Sequence, residues 1–544
     1  MVRTALTLTF NWQWLMRALV LAWLSLLVCV SAPQAATVTA ASCENKSGQT
    51  DVQNAINAAS NGDTVVIPAG TCAWTVGLAF PNPGKAIKVT GSGTIPSIGA
   101  ATSGGTTIQL IAPQFAGKYD VIELYESTVG YLEISNLTII NNFNNISHVA
   151  GQPTNGVIFI GYVSGGKPVI LHHLTLQFTN FQAGDCGGSW MVNAATYHGV
   201  VYRNKFLNDN PGAACGFSNA ITTLHLDPGA GTLGPGLWSS TSTLGIRDTA
   251  GPVGVGGEGN FYFETNQVDY GVVNGIDIND GARIVIRYNT FNNTSIGGHG
   301  HDSSPVSNRQ WEIYNNTFTW DGAATMNRWI AWRGGSGIIM DNITPHLTGF
   351  VFTQLCTFAL DRNVSGCPNL GNGYPWYQQC GWGYDGSHLL DANGRDQQIS
   401  PIYNIGNYEQ PNQTGNVGVI LLCGDNTDAG SWCGPGRPSQ ATFLASNRDY
   451  YNFYPNFDGS AGTGRGLRAA RPATCTKGVA YASTDSPGMM DLCTATNTWT
   501  NAWYTEYQYP HPLAPGGSAT SSAPAPSPAP APASPAAPSN LQVK

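Results

Sequence analysis

The densest collection of proton-moving side chains in this sequence lies between Gly275 and Arg333. It reads GIDINDGARIVIRYN, then GGHGHDSS, then WIAWRGGSG. It therefore carries Asp277, Asp280, Arg283 and Arg287, followed by His299, His301 and Asp302, and finally Arg333. Carboxylates grouped with a histidine are what acid–base cleavage of a glycosidic bond requires. Asp277, Asp280, His299, Asp302 and Arg333 are accordingly the candidate catalytic residues. The glycines beside His299 leave room for a sugar to approach the backbone. Hydrolysis by these groups needs no cofactor. Elimination from a uronic acid needs its carboxylate neutralised, commonly by Ca2+, and a Lys or Arg as base. The stretch has no lysine, so Arg283, Arg287 or Arg333 would serve, with Asp277, Asp280 or Asp302 on the metal. A purely structural reading is also open. Asp280 and Arg283 would then pair locally, and GGHGHD would be a tight corner. His225 and Asp227 are weaker candidates, and His172-His173 falls in a strand-like run that reads as structural.

Such residues converge only if the chain repeats. Six segments share a template in which an apolar residue stands three before an Asn, usually with another two after it. They are centred on Asn204, Asn266, Asn289, Asn316, Asn342 and Asn363, at intervals of 62, 23, 27, 26 and 21 residues. Intervals of 21 to 27 suit one solenoid turn each, and 62 suits a turn carrying an insertion. Asn at a repeated corner tolerates left-handed backbone, and stacked amides bond from turn to turn. With 66 Gly, only 10% charged residues and no long helix-forming run, the fold class is all-β, a right-handed parallel β-helix. Its turns would stack at about 4.8 Å, bringing residues of like phase together on one face. Asp280 and Arg333 each stand nine residues before a template Asn, whereas His299 stands seventeen before Asn316.

The flanks complete the organisation. Arg3 and Arg17 with the apolar run Ala18 to Val30 read as a bacterial-type signal peptide over residues 1–40, cut between Ala35 and Ala41. The run is short for a bilayer, and no later segment looks transmembrane. Eleven of twelve cysteines remain after export, where pairing is expected. Cys43 and Cys72 bracket the first segment and should form one bridge. Val52, Ala55, Ile56 and Ala59 recur at helical spacing, giving a short capping helix before the strand Thr64 to Ile67. The β-helix domain spans 41–512. Within it, residues 209–259 read as a long inserted loop and 366–512 as an irregular disulfide-rich wrap or cap. Residues 513–544 form a Pro/Ala-rich linker tail. Without Arg3 and Arg17 the chain holds 22 Lys and Arg against 32 Asp and Glu. It lacks a basic cluster, so nucleic acid is not an expected partner.

The string DVQNAIN…GDTVVIPAGTC resembles the N-terminal entry of the pectin-lyase-like β-helix superfamily. Gly298-His299-Gly300, with Asp280 nineteen residues upstream, is similar to the aspartate group and Gly-His-Gly of polygalacturonases. An adjacent Asp-Asp, an upstream Asn-Thr-Asp and a downstream Arg-x-Lys are absent. The signal peptide implies a protein secreted to the exterior or the cell surface, and the resemblance implies a carbohydrate-active one. It would cleave a uronic-acid-containing polysaccharide by hydrolysis or elimination. The alternative is a non-catalytic β-helix that serves as a structural, adhesive or glycan-binding surface.

Overall fold

The computed structural model describes residues 35–111, 120–142, 156–180, 190–196, 198–209, 222–226, 260–269, 275–279, 282–300, 310–321, 328–332, 336–345, 351–355, 389–390, 396–397, 402–410, 420–422, 445–448, 450–485, 490–503 and 508–514. Among them, three long parallel sheets of 12, 10 and 10 strands hold most of the strands. Successive strands visit the first, second and third sheet in rotation. Phe261–Glu264, Gln267–Asp269 and Ile276–Asn279 make one such round, and Arg283–Arg287, Thr290–Asn292 and Ile296–Gly300 make the next. This is the strand order that a parallel β-helix requires.

Alternation along each strand explains the packing, because successive side chains point to opposite faces. Inward positions stack into rows. Val201, Phe263, Ile286, Ile313 and Ile339 line up in the first sheet. Leu176, Phe206, Val268, Phe291 and Phe318 do so in the second, with Phe291 and Phe318 rings stacked at 5.2 Å. All of these belong to one continuous buried core. Helix α1 (Asp51–Ala58) closes the start of that core with Val52, Ala55 and Ile56. The Cys43–Cys72 disulfide ties the same end. Thr37–Thr39 already pairs with Thr64–Val66.

The asparagine corners join the first sheet to the second. Asn266 Oδ1 accepts from the Asn204 backbone N–H and amide, at 2.9 and 3.1 Å. Asn289, Asn316 and Asn342 repeat the pattern, and each amide also donates to a carbonyl of the preceding turn. The left-handed residue is the one before each Asn. Arg203, Thr265, Tyr288, Asn315 and Asp341 have φ between 54° and 57°. The ladder Asn supplies the hydrogen bonds, and its predecessor takes the strained backbone.

Two expected boundaries change. Residues 209–259 are not wholly an insertion, because Thr222–Leu226 is a strand of the third sheet with Leu224 and Leu226 in the core. The rung after Asn342 is Asn407, which Asn342 reaches at 2.9 Å, whereas Asn363 lies outside the described residues. The stack therefore continues into 366–512 through Ile402–Ile405, Tyr408–Gln410, Ile420–Leu422 and Tyr450–Tyr451. Beyond it, a four-stranded sheet spanning Thr463 to Trp503, held by Cys475–Cys493, lies against the outer face of the first sheet. There Tyr262, Val285, Tyr314 and Tyr403 share one buried cluster with Val479, Ala480 and Met490. The other cysteines, residues 1–34 and residues 515–544 fall outside the described residues.

Candidate functional site

The third sheet holds the candidate site. Ile276 and Ile278 are fully buried in the core, so Asp277 between them belongs to the opposite face. It is nevertheless only 6% exposed. Its strand Ile276–Asn279 lies between Thr222–Leu226 and Ile296–Gly300, and Asp277 is in register with His225 on one side and Gly297 on the other. His225 thus stands beside Asp277, although the two are 52 residues apart.

The next strand carries an irregularity at the candidate histidine. Ile278 pairs with Gly298 and Asn279 with Gly300, which leaves His299 as the extra residue. A bulge of this kind re-aims a side chain and is common beside active sites. The Gly residues on both sides tolerate the disturbed backbone.

Asp280, Asp302 and Arg333 lie outside the described residues. In sequence they follow the strands Ile276–Asn279, Ile296–Gly300 and Arg328–Trp332 by one, two and one residues. Those three strands are consecutive neighbours in the third sheet. The topology therefore gathers the strands that carry or precede all five candidates.

Arg283 and Arg287 do not join them. Both sit on the strand Arg283–Arg287 of the first sheet. Arg287 is fully buried and binds Glu264 Oε2 through Nε and Nη2, both at 2.7 Å. It also donates to the Tyr314 hydroxyl at 3.1 Å and the Gln508 carbonyl at 2.7 Å. A guanidinium so occupied is a structural cation, which removes it as an elimination base. Arg283 is buried on the same sheet.

His172 and His173 also belong to the first sheet's side of the molecule. His172 Nε2 meets Glu133 Oε1 at 3.0 Å, and the two Nδ1 atoms share a hydrogen bond of 2.7 Å. Burial, followed by the nearby His172 and Arg203, pushes the His173 imidazole down to about 4. A further buried group occupies a corner between the third and first sheets. There Glu126 accepts from the Thr196 hydroxyl and from the Val163 N–H at 3.0 Å, with His198 Nδ1 3.1 Å away. Sequence reading did not single it out, because its partners stand 37 to 72 residues downstream.

The register aligns Glu123, Phe159, Asn193, His225, Asp277, Gly297 and Ala331 as successive Cα partners across the third sheet. At its earlier end the half-buried Tyr125 and Phe159 rings meet edge to face at 6.1 Å. Gly161 makes that possible, because a Cβ there would lie 2.6 Å from the Tyr125 ring. Among the described residues, no three His, Cys, Asp or Glu side chains converge on a metal position. Likewise, no described helix is long and apolar enough to cross a membrane. No protein-family model matches the chain, and no curated protein matches it.

Proposed function

We propose that the chain is a right-handed parallel β-helix of the pectin-lyase-like kind. On this reading it cleaves an extracellular, uronic-acid-containing polysaccharide lying along the outer face of the third sheet. The observation that carries the reading is the register of three consecutive strands. It sets His225, Asp277 and the His299 irregularity on neighbouring rungs of a regular stack. Rungs about 4.8 Å apart are close to the length of one hexose unit. A chain lying along the stack would therefore meet equivalent positions sugar after sugar. Tyr125 with Phe159 gives a ring surface several rungs away on which a sugar can stack.

Hydrolysis and elimination differ in what they ask of these residues. Hydrolysis uses a carboxylic acid and a base, roles for Asp277, Asp280, Asp302 and the histidines. In elimination, Asp277, Asp280 and Asp302 are the oxygen donors that would hold Ca2+, and Arg333 would be the base once Arg287 is excluded. Ca2+ would supply charge neutralisation of the uronate. The test is a panel of neutral and uronic-acid polysaccharides, scored for new reducing ends and for ultraviolet-absorbing unsaturated products, with and without chelator. Reducing ends without absorbance, unaffected by chelator, mean hydrolysis. Absorbance abolished by chelator means elimination. Glycan binding with no cleavage on any substrate would favour a non-catalytic rod with a glycan-binding face.

A further inference from the structure

The last described segment, Gln508 to Ala514, returns across the outer face of the first sheet and is clasped there. The Gln508 carbonyl takes a hydrogen bond from Arg287, the Tyr509 ring stacks on Tyr288 at 3.8 Å, and the Tyr509 and Thr265 hydroxyls share a bond of 2.8 Å. The centre of the clasp is His511, which is fully buried. Its backbone N–H donates to Glu264 Oε1 at 2.7 Å, and its ring lies 4.6 Å from that of Tyr262. Its Nδ1 accepts the Leu513 backbone N–H at 3.1 Å. A backbone amide can only donate, so this Nδ1 carries no proton and the imidazole is neutral.

We infer that His511 is an acid-sensitive latch that holds the C-terminal segment against the first sheet. Protonation puts a hydrogen on Nδ1 and so destroys the bond to Leu513. It also places a second cation in a buried site where Glu264, the carboxylate that meets the His511 backbone, already faces Arg287. Among the described residues, the charged and titratable groups around the latch are Glu264 and Arg287 from the first sheet, with Tyr262, Tyr314, Tyr509, Tyr202 and Arg203. Among them only Glu264 could balance a new positive charge. Burial, with the Arg287 charge second, holds the imidazole down to about 3. A released His511 would titrate near its ordinary 6.5, so acid weakens the closed form progressively from about 6.5 down to about 3.

The contact from Leu513 N–H to the side chain two residues back has the geometry of an Asx turn. His511→Asn therefore keeps an acceptor but cannot titrate. Hydroxyl-radical footprinting from pH 7 to pH 3 reads the latch directly through Tyr509, with Trp311, buried in the core, as the internal control. Tyr509 labelling in the wild-type protein is expected to rise several-fold on acidification while Trp311 labelling stays constant, and His511→Asn is expected to keep Tyr509 protected. Flat wild-type labelling of Tyr509, a joint rise of Tyr509 and Trp311, or an unchanged rise in His511→Asn would each overturn the inference. Should His511→Asn fail to fold, the wild-type comparison of Tyr509 with Trp311 still decides.

Discussion

Arg287 and Asp277 show how one stretch of sequence can divide its polar residues between two faces of the stack. They are ten residues apart, yet the corner between them carries the chain from the third sheet to the first. Arg287 is enclosed with Glu264, Tyr314 and Gln508. Replacing it by Ala would leave the Glu264 carboxylate buried without its cation. The expected loss is about 3 to 5 kcal/mol, the scale for breaking a buried pair, and denaturant unfolding would measure it. Arg287→Ala should melt earlier, and whatever activity the remaining folded protein shows should be intact. Sequence alone could not separate the two arginines from the site, because Glu264 and Gln508 stand 23 and 221 residues away. Asp277 and His299 stood out by residue type, and the structure puts them on neighbouring strands of the third sheet. His225 was harder to see, since its strand is hidden between two Gly- and Pro-rich stretches. The signal was present nonetheless, in the alternation of Leu224 and Leu226 around it.

At the scale of elements, the asparagine ladder carries the stacking of the turns. Asn289 accepts from the Asn266 backbone and amide, and donates to the Phe263 carbonyl and to Asn316 Oδ1. Asn289→Ala removes all of these at once and orphans a buried backbone N–H. Each unsatisfied buried group costs about 1 to 3 kcal/mol, so a loss of several kcal/mol is expected in urea unfolding. A loss below 1 kcal/mol would mean that the core rows alone hold the turns. The corners from Asn204 to Asn342 were readable because their flanking residues enter the core at fixed offsets. The pattern failed after Asn342 for a physical reason. The position three before Asn407 is Asn404, a buried amide bonded to Asn407 and Asn452 rather than an apolar residue. Asn363 imitates the template within a stretch that does not supply the next rung.

For the molecule as a whole, two buried neutral histidines tie stability to pH. Burial pushes His173 down to about 4 and His511 to about 3, from an ordinary 6.5. The unfolded chain therefore binds more protons than the folded one across that interval, and stability rises with pH there. The melting temperature should fall as pH drops from about 6.5 toward 4, and His511→Asn should flatten part of the slope. A profile unchanged down to pH 4 would mean that neither histidine stays neutral in the folded protein. The repeated architecture was legible because it imposes one pattern many times, whereas the clasp on the first sheet was not, since it joins residues more than two hundred positions apart. The central claim is that the outer face of the third sheet is catalytic. It is tested most directly by measuring turnover and melting temperature together for His299→Ala and Asp277→Asn on the polysaccharide the wild-type protein cleaves. The account predicts that both variants lose about a hundredfold or more in turnover while melting close to the wild-type temperature. Full turnover with an earlier melt would contradict it and make this face a structural one.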